Sequence, residues 1–197
     1  MTDEETDDAT TTTVTDGPSD IPDLTDFNID GDNVKRNYGV SVILSQQASR
    51  FSMPFDLKQF ETLTPREYLE KYCRVSNRRH ALYKRIFDKH KGTDGELTTK
   101  VLSEALSDAY MRTVDHQYIQ QVILLLDLKS GDKITFAQFE GIAAFSERYF
   151  FNVFARAETA EVALQKDIIE RLDFSALKWK LHGIKITNQL RHILKLI

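Results

Sequence analysis

Two similar patterns of helix, short loop and helix follow one another between about residues 76 and 155, and this duplication constrains the fold more than any other sequence feature. The first loop contains Lys-Gly-Thr-Asp-Gly at 91–95, and the second begins with Asp-Leu-Lys-Ser-Gly-Asp at 127–132. Such clusters of Gly, Asp and Ser favour turns. On both sides of each loop, apolar residues recur at steps of three and four, as in amphipathic helices. The sequence therefore predicts two consecutive helix–loop–helix units.

Further helices are predicted before and after these units. Thr64, followed by Pro65 and, three residues after the cap, by Glu67, is a strong signal for the start of a helix. Near the C-terminus, Asp173 and Thr187 are suitable caps for two more helices. We expect an all-α fold in which the remaining regular structure is a pair of two-residue strands at the loop ends.

The first unit resembles an EF-hand at particular residues. The family's twelve-residue loop places oxygen ligands at positions 1, 3, 5, 7 and 9, a glycine at position 6 and a glutamate at position 12. Asp88 fits position 1, Asp94 and Gly95 fit positions 5 and 6, and Leu97 fits the apolar position 8. Two extra residues separate the halves of this loop, and position 12 is Val101.

The second unit resembles the same family more weakly. Asp127 fits position 1, Gly131 fits position 5 and Gln138 fits position 12. Ile134 fits position 8 and lies 37 residues after Leu97, a separation similar to that in paired EF-hands. The resemblance implies that the two loops pair through these apolar residues and that the fold is an EF-hand-like pair with extra N- and C-terminal helices.

The resemblance also implies calcium sites, but the residues at the ligand positions depart from the family. A hard divalent cation needs six to eight oxygen ligands. The loop at 88–101 offers Asp88 and Asp94, and the loop at 127–138 offers Asp127 with a lysine in a ligand position. Neither loop closes with a glutamate. We therefore expect vestigial loops that bind calcium weakly or not at all, and no other metal or cofactor.

Charge and composition divide the chain into three parts. Residues 1–34 contain eleven acidic residues and no Lys or Arg, so the remaining residues carry a net charge of +7. Few large apolar side chains occur in 1–55, which predicts a disordered acidic tail, although the apolar patch at 40–44 could dock on the body. Residues 56–158 would form the pair with its preceding helix, and 159–197 a helical segment that packs on the pair.

The C-terminal segment combines positive charge with apolar residues. No acidic residue follows Asp173, and residues 174–197 carry a charge of +5. Three interpretations fit: the segment fills the groove of its own domain, binds an external protein partner, or lies on a membrane surface. We favour the first. The candidate groove-filling or partner-binding residues are Phe174, Leu177, Trp179, Leu190, Ile193 and Leu194.

Enzymatic and nucleic-acid-binding signals are absent from the sequence. The single cysteine, Cys73, cannot form an internal disulfide, and the five histidines show no metal-ligand spacing. No phosphate-binding glycine loop, small-molecule site or nucleic-acid module is recognised. The longest apolar run, 122–126, is too short to span a membrane. We therefore expect a cytoplasmic protein, and the resemblance to divergent EF-hand pairs extends this to the cilium or cytoskeleton.

Two functional hypotheses remain. The first is a non-enzymatic protein-interaction or scaffold module built on a degenerate EF-hand pair. The alternative is a calcium sensor in which ions bind the loops at 88–101 and 127–138 and open the helices. The missing closing glutamates favour the first hypothesis, and a calcium titration separates the two.

Overall fold

Eight α-helices, four short strands and a 3₁₀-helix form within the residues that the computed structural model describes, which are 44, 48–129, 131–155 and 168–197. The helices are α1 (Pro65–Tyr72), α2 (Asn77–His90), α3 (Thr99–Ala109), α4 (His116–Leu125), α5 (Phe136–Ala155), α6 (Ile168–Phe174), α7 (Leu177–Lys180) and α8 (Asn188–Leu196). The strands are β1 (Ser49–Phe51), β2 (Cys73–Val75), β3 (Leu97–Thr98) and β4 (Lys133–Ile134), and the 3₁₀-helix is Leu57–Glu61. The described part of the chain is therefore mostly helical.

The start of α1 is fixed by the capping residues that the sequence predicts. Thr64 Oγ1 accepts a hydrogen bond from the Glu67 amide at 3.3 Å, and the Glu67 carboxylate accepts one from the Thr64 amide at 2.9 Å. These reciprocal bonds satisfy two amide groups that the first helical turn leaves without helical partners. At the other end of the chain, Thr187 Oγ1 accepts from the Leu190 amide and caps α8.

Two helix–loop–helix units meet at a short antiparallel ladder. Helices α2 and α3 flank the first loop, and α4 and α5 flank the second. Leu97 pairs with Ile134, and Thr98 pairs with Lys133. Leu97 and Ile134 are both fully buried, so the ladder that joins the two loops also contributes two side chains to the core. The two-residue strands predicted at the loop ends are present.

A second sheet, which the sequence did not predict, forms from β1 and β2. Phe51 pairs with Cys73 and is fully buried, and the Ser52 amide donates to the Tyr72 carbonyl at 3.0 Å. The expectation that regular structure outside the loop ends is helical is therefore wrong here. Regular structure also begins before residue 56, because β1 spans Ser49–Phe51.

The rest of the tail prediction lies outside the described residues, which exclude 1–43 and 45–47. Within the apolar patch at 40–44, the described residue Leu44 is buried.

Helix α5 forms the centre of the core. Every residue from 141 to 150 is buried, and α1, α2, α4 and β2 pack around the helix. Gly141 lets the backbones of α5 and α1 lie close together, because a Cβ atom at this position would lie 2.6 Å from the backbone oxygen of Leu69 on α1. No helix within the described ranges is long and apolar enough to cross a membrane.

Helix α8 closes the fold against α4 and α1. Its apolar side is buried, and the side-chain amide of Asn152 on α5 donates to the Leu196 carbonyl at 3.1 Å. The buried residues on this side are Leu190, Ile193, Leu194 and Ile197. Their spacing places them on one face, so the amphipathic pattern of α8 is satisfied within the chain.

Candidate functional site

The two loops that resemble vestigial EF-hand loops are joined by an ion pair. The ladder between β3 and β4 brings Lys133 of the second loop beside Asp94 of the first, and the Lys133 ammonium donates to Asp94 Oδ2. The same ammonium lies 3.9 Å from a carboxylate oxygen of Glu96. This hydrogen bond lowers the pKa of the Asp94 carboxyl and raises the pKa of Lys133. A cation from the chain itself therefore bridges the loops.

The other candidate ligand of the first loop also binds lysine side chains. Asp88 Oδ1 accepts hydrogen bonds from Lys84 at 2.6 Å and from Lys91 at 2.8 Å. The hydrogen bond from Lys84 makes the largest contribution to lowering the pKa of this carboxyl. Both carboxylates of the loop at 88–101 are thus paired with ammonium groups.

Backbone and side-chain hydrogen bonds shape the second loop. Asp132 Oδ2 accepts from the Lys129 amide at 3.1 Å and forms a salt bridge with Arg66 at 3.2 Å. The Thr99 hydroxyl, at the start of α3, lies 3.1 Å from both the Lys129 and Asp132 carbonyl oxygens. The two loops are therefore cross-linked by polar groups as well as by the ladder.

The residues at the predicted closing positions have other contacts. Gln138 Oε1 accepts from the Thr135 amide at 3.4 Å, and Thr135 Oγ1 accepts from the Gln138 amide at 3.3 Å, so Gln138 caps α5. Val101 is half-buried on α3. Asp127, the remaining candidate ligand, is exposed and adopts a left-handed backbone with φ of 51°. Among the described residues, no three His, Cys, Asp or Glu side chains are grouped so as to hold a metal ion.

Asp108 on α3 is the centre of a charged cluster that the sequence analysis missed. Its carboxylate lies 2.5 Å from the Lys89 ammonium, 2.8 Å from His90 Nε2 and 2.9 Å from Arg112 Nε. These hydrogen bonds, the one from Lys89 first, hold the pKa of Asp108 well below its usual range. Only the i, i+4 spacing of Asp108 and Arg112 could have indicated part of this cluster.

Cys73 has the environment of a structural cysteine. It lies in β2, and burial raises the pKa of its thiol well above the usual range, with the Glu140 carboxylate adding to the effect. A thiolate is the nucleophilic form of cysteine, and this environment disfavours it.

Glu147 and Arg148 are adjacent charged residues, and both are buried in the middle of α5. Arg148 and Glu170 form a salt bridge of 2.7 Å with side chains 1% and 3% exposed. Arg148 also donates to the Ser49 carbonyl at 2.8 Å and lies 5.4 Å from the Phe51 ring centroid. This guanidinium therefore connects α5 with both β1 and α6.

The neighbouring carboxylate forms a second buried cluster. Glu147 accepts hydrogen bonds from Arg79 at 2.6 Å and from the Tyr83 hydroxyl at 2.5 Å, which ties α5 to α2. Burial raises the pKa of Tyr83 well above the usual range, so the hydroxyl remains a donor. The sequence signal for both clusters is an adjacent acid and base within a mostly apolar stretch of the helix.

The structure separates the six predicted C-terminal site residues into three groups. Leu190, Ile193 and Leu194 are buried within the fold. Phe174 and Leu177 are half-buried. Trp179, the single tryptophan, is 80% exposed.

Helix α6 is oriented with Glu170 inward. Glu170 is 2% exposed, whereas Ile168 is 70% and Leu172 is 63% exposed. Ile168 and Leu172 are four residues apart and share one side of the helix. We name the exposed side chains of Ile168, Leu172 and, on α7, Trp179 the exposed α6–α7 face. The Lys180 ammonium links these helices by donating to the Leu172 and Asp173 carbonyls.

A concave pocket of about 440 Å³ lies between α6 and α8. Phe174, Leu177 and Leu194 supply its apolar lining, and Arg171 and Lys195 also line it. Because Ile168 and Arg171 are three residues apart on α6, the pocket adjoins the exposed α6–α7 face.

Comparisons of the chain with protein-family models, curated proteins and solved structures find no match.

Proposed function

We propose that this chain is a non-enzymatic protein-interaction module, built on a pair of EF-hand-like units whose loops are held together without calcium. The observation that carries the proposal is the ion pair between Lys133 and Asp94, which places an ammonium of one loop on a carboxylate of the other. A divalent cation bound among these side chains would be repelled by that ammonium and would lose a carboxylate already engaged.

The remaining loop contacts support the same proposal. Asp88 is paired with Lys84 and Lys91, and Gln138 forms a cap at the start of α5. In a calcium loop, the residue at the closing position supplies two oxygens to the metal and draws the exiting helix toward it. Here, a neutral amide at that position stabilises the helix end directly.

The non-enzymatic part of the proposal rests on the environments of the reactive side chains. The Cys73 thiol has a raised pKa, and His90 is engaged with Asp108. His80 Nδ1 lies 2.7 Å from Glu140 Oε1, and this solvent-exposed contact joins α2 to α5. These pairs connect helices, and neither lies in the pocket between α6 and α8.

The calcium sensor is the competing function, and thermal unfolding of the full chain separates the two. We expect equal melting temperatures in excess EDTA and in millimolar calcium. A ligand at 100 times its dissociation constant stabilises by about 2.7 kcal/mol, which corresponds to a rise of roughly 5–10 °C for a chain of this size. A rise of that size in the melting temperature in calcium would contradict the proposal and support the calcium-sensor function.

The interaction role requires a second measurement. Quantitative affinity capture with the full chain should retain the same proteins in EDTA and in calcium. Retention only in calcium would support the sensor, and failure to retain any protein above a tag-only control would contradict the interaction module.

A further inference from the structure

We propose that the exposed α6–α7 face binds an amphipathic helix of a partner protein that carries acidic residues beside its apolar stripe. The face lies outside the two helix–loop–helix units, and its assignment rests on the proposed interaction function. Three features carry the inference: the orientation of α6, the sign of the surrounding charge and the adjoining pocket.

The orientation of α6 is the reverse of that expected for a surface helix. A surface helix normally buries its apolar stripe and exposes its charged residues. In α6, Glu170 is buried against Arg148, and Ile168 and Leu172 remain in solvent. Several exposed apolar side chains on one short segment mark an interaction site more often than an isolated exposed residue does.

The charge around the face specifies an acidic partner. Arg171 is exposed beside Ile168, Lys178 is exposed beside Trp179, and Lys195 lies across the pocket. Glu170 also lines the pocket, but its charge is neutralised by its buried partner. Asp173 is the other carboxylate of α6, and no acidic residue follows it, so the basic residues outnumber it. A second copy bound through the same face would bring these like charges together, because the two patches in a twofold interface are identical. A helix with flanking carboxylates would instead place opposite charges at the rim.

The pocket favours a protein helix over a lipid surface. Its volume of about 440 Å³ and its lining by Phe174, Leu177 and Leu194 provide space for a protruding apolar side chain. Helices that dock in grooves use such anchors at i, i+3, i+4 and i+7. A bilayer surface has no side chain to insert.

The single tryptophan permits a direct test in the full chain. Emission of Trp179 should shift to shorter wavelength when a partner covers the face, since the indole is 80% exposed without one. The probe is a synthetic helical peptide with leucines at i, i+3, i+4 and i+7 and glutamates on either side. The matched peptide replaces every glutamate by lysine, and the third probe is vesicles of phosphatidylcholine and phosphatidylserine. All titrations contain EDTA.

We expect a saturable blue shift with the glutamate peptide and affinity for the lysine peptide weaker by roughly tenfold or more. Leu172→Asp should weaken binding of the glutamate peptide by about tenfold or more. Leu124→Asp is the matched control, because Leu124 on α4 is 65% exposed, close to the 63% of Leu172, and belongs neither to this face nor to the pocket lining. The control should bind normally, and both variants should keep the helical circular dichroism of the parent chain.

Four results would overturn the inference. They are no shift with the glutamate peptide up to about 1 mM, equal affinity for both peptides, a shift with vesicles alone, and an emission that changes with protein concentration alone. The last two would identify a lipid surface or a second copy as the occupant.

Because these titrations are independent of melting in calcium, a calcium-dependent melting temperature with normal peptide binding would contradict only the proposed function. Equal melting temperatures without peptide binding would contradict only this inference.

Discussion

Helices α6 and α8 belong to the same basic C-terminal segment, yet they present opposite sides to the body of the protein. Helix α8 buries Leu190 and Ile193 against α4 and α1. Helix α6 buries Glu170 and leaves Ile168 and Leu172 in solvent. The difference shows that the apolar content of a helix does not by itself decide which side faces the core, when a buried charge elsewhere in the fold requires a partner.

The inward side of α6 meets Arg148 on the central helix. An unpaired guanidinium at this depth would be strongly unfavourable, and Glu170 is the carboxylate that pairs with it. On the same helix Ile168, Ile169 and Leu172 are exposed, and an aliphatic side chain of this size contributes roughly 1.5–3 kcal/mol if fully buried. A partner that covers them would recover this stabilisation without disturbing the ion pair.

The largest expected effect comes from breaking that pair. Glu170→Ala leaves Arg148 buried without its carboxylate and should lower the free energy of unfolding by about 3–5 kcal/mol in urea denaturation. The double variant Arg148→Met/Glu170→Leu should recover most of the loss, because well-packed apolar residues can replace a buried ion pair. A loss below about 1 kcal/mol for Glu170→Ala would mean that the pair does not determine the orientation of α6.

A comparison of leucines in the two helices should show the next largest effect. Leu190→Ala in α8 removes a fully buried side chain and should cost about 2–5 kcal/mol of stability. Leu172→Ala in α6 should stay within about 0.5 kcal/mol, because the side chain is mostly in solvent. Equal losses in urea denaturation would show that Leu172 is covered within the free chain, which would remove the contrast between the helices.

Local signals in the sequence predicted much of this architecture. The cap formed by Thr64 and Glu67 depends on residues three apart, and the loop strands follow from turn residues next to Leu97 and Ile134. Such features require few distant contacts. The apolar positions of α8 could also be predicted from the sequence, because their spacing matches the period of a helix.

Contacts between distant residues could not be predicted in the same way. Glu170 pairs with a residue 22 positions away, and β1 pairs with a strand that follows α1 in the chain. Seven residues of α6 give too short a pattern to indicate its inward side. Within the candidate loops, the sequence indicated missing ligands, but the ion pair between Lys133 and Asp94 depends on the register of two separate strands.

A smaller effect is expected where the charges are closer to solvent than those of Arg148 and Glu170. The pKa of Asp108 is lower in the folded chain than the usual value of about 3.9. Its stabilising contribution is therefore fully present above that value and is lost as the pH falls through it toward the folded-state pKa. Asp108→Asn should reduce stability by about 1 kcal/mol near neutral pH.

Urea denaturation between about pH 5 and about pH 2 checks the sign of this effect. The parent chain should lose more stability than Asp108→Asn over this range, and the two should converge once the carboxyl is protonated. Parallel pH profiles would show that the cluster of Lys89, His90 and Arg112 does not stabilise the ionised carboxylate.

The smallest effect is expected at the exposed ion pair that joins the loops. Lys133 and Asp94 are both solvent-exposed, so water and salt screen their attraction far more than that of the buried pair on α5. Lys133→Gln should lower the melting temperature slightly at low ionic strength, less than Asp108→Asn does. Lys100→Gln, on the exposed side of α3, is the matched control for loss of a lysine charge. In about 1 M salt the difference between Lys133→Gln and the parent chain should disappear, because the screening length falls to about 3 Å. A large loss that persists in salt would show that the ammonium has a structural role beyond its charge.

The same variant sharpens the calcium question, because removing the ammonium leaves Asp94 and Glu96 without its opposing charge. If Lys133→Gln then gains a melting response to calcium that Lys100→Gln lacks, the lysine itself is what keeps the paired loops independent of metal.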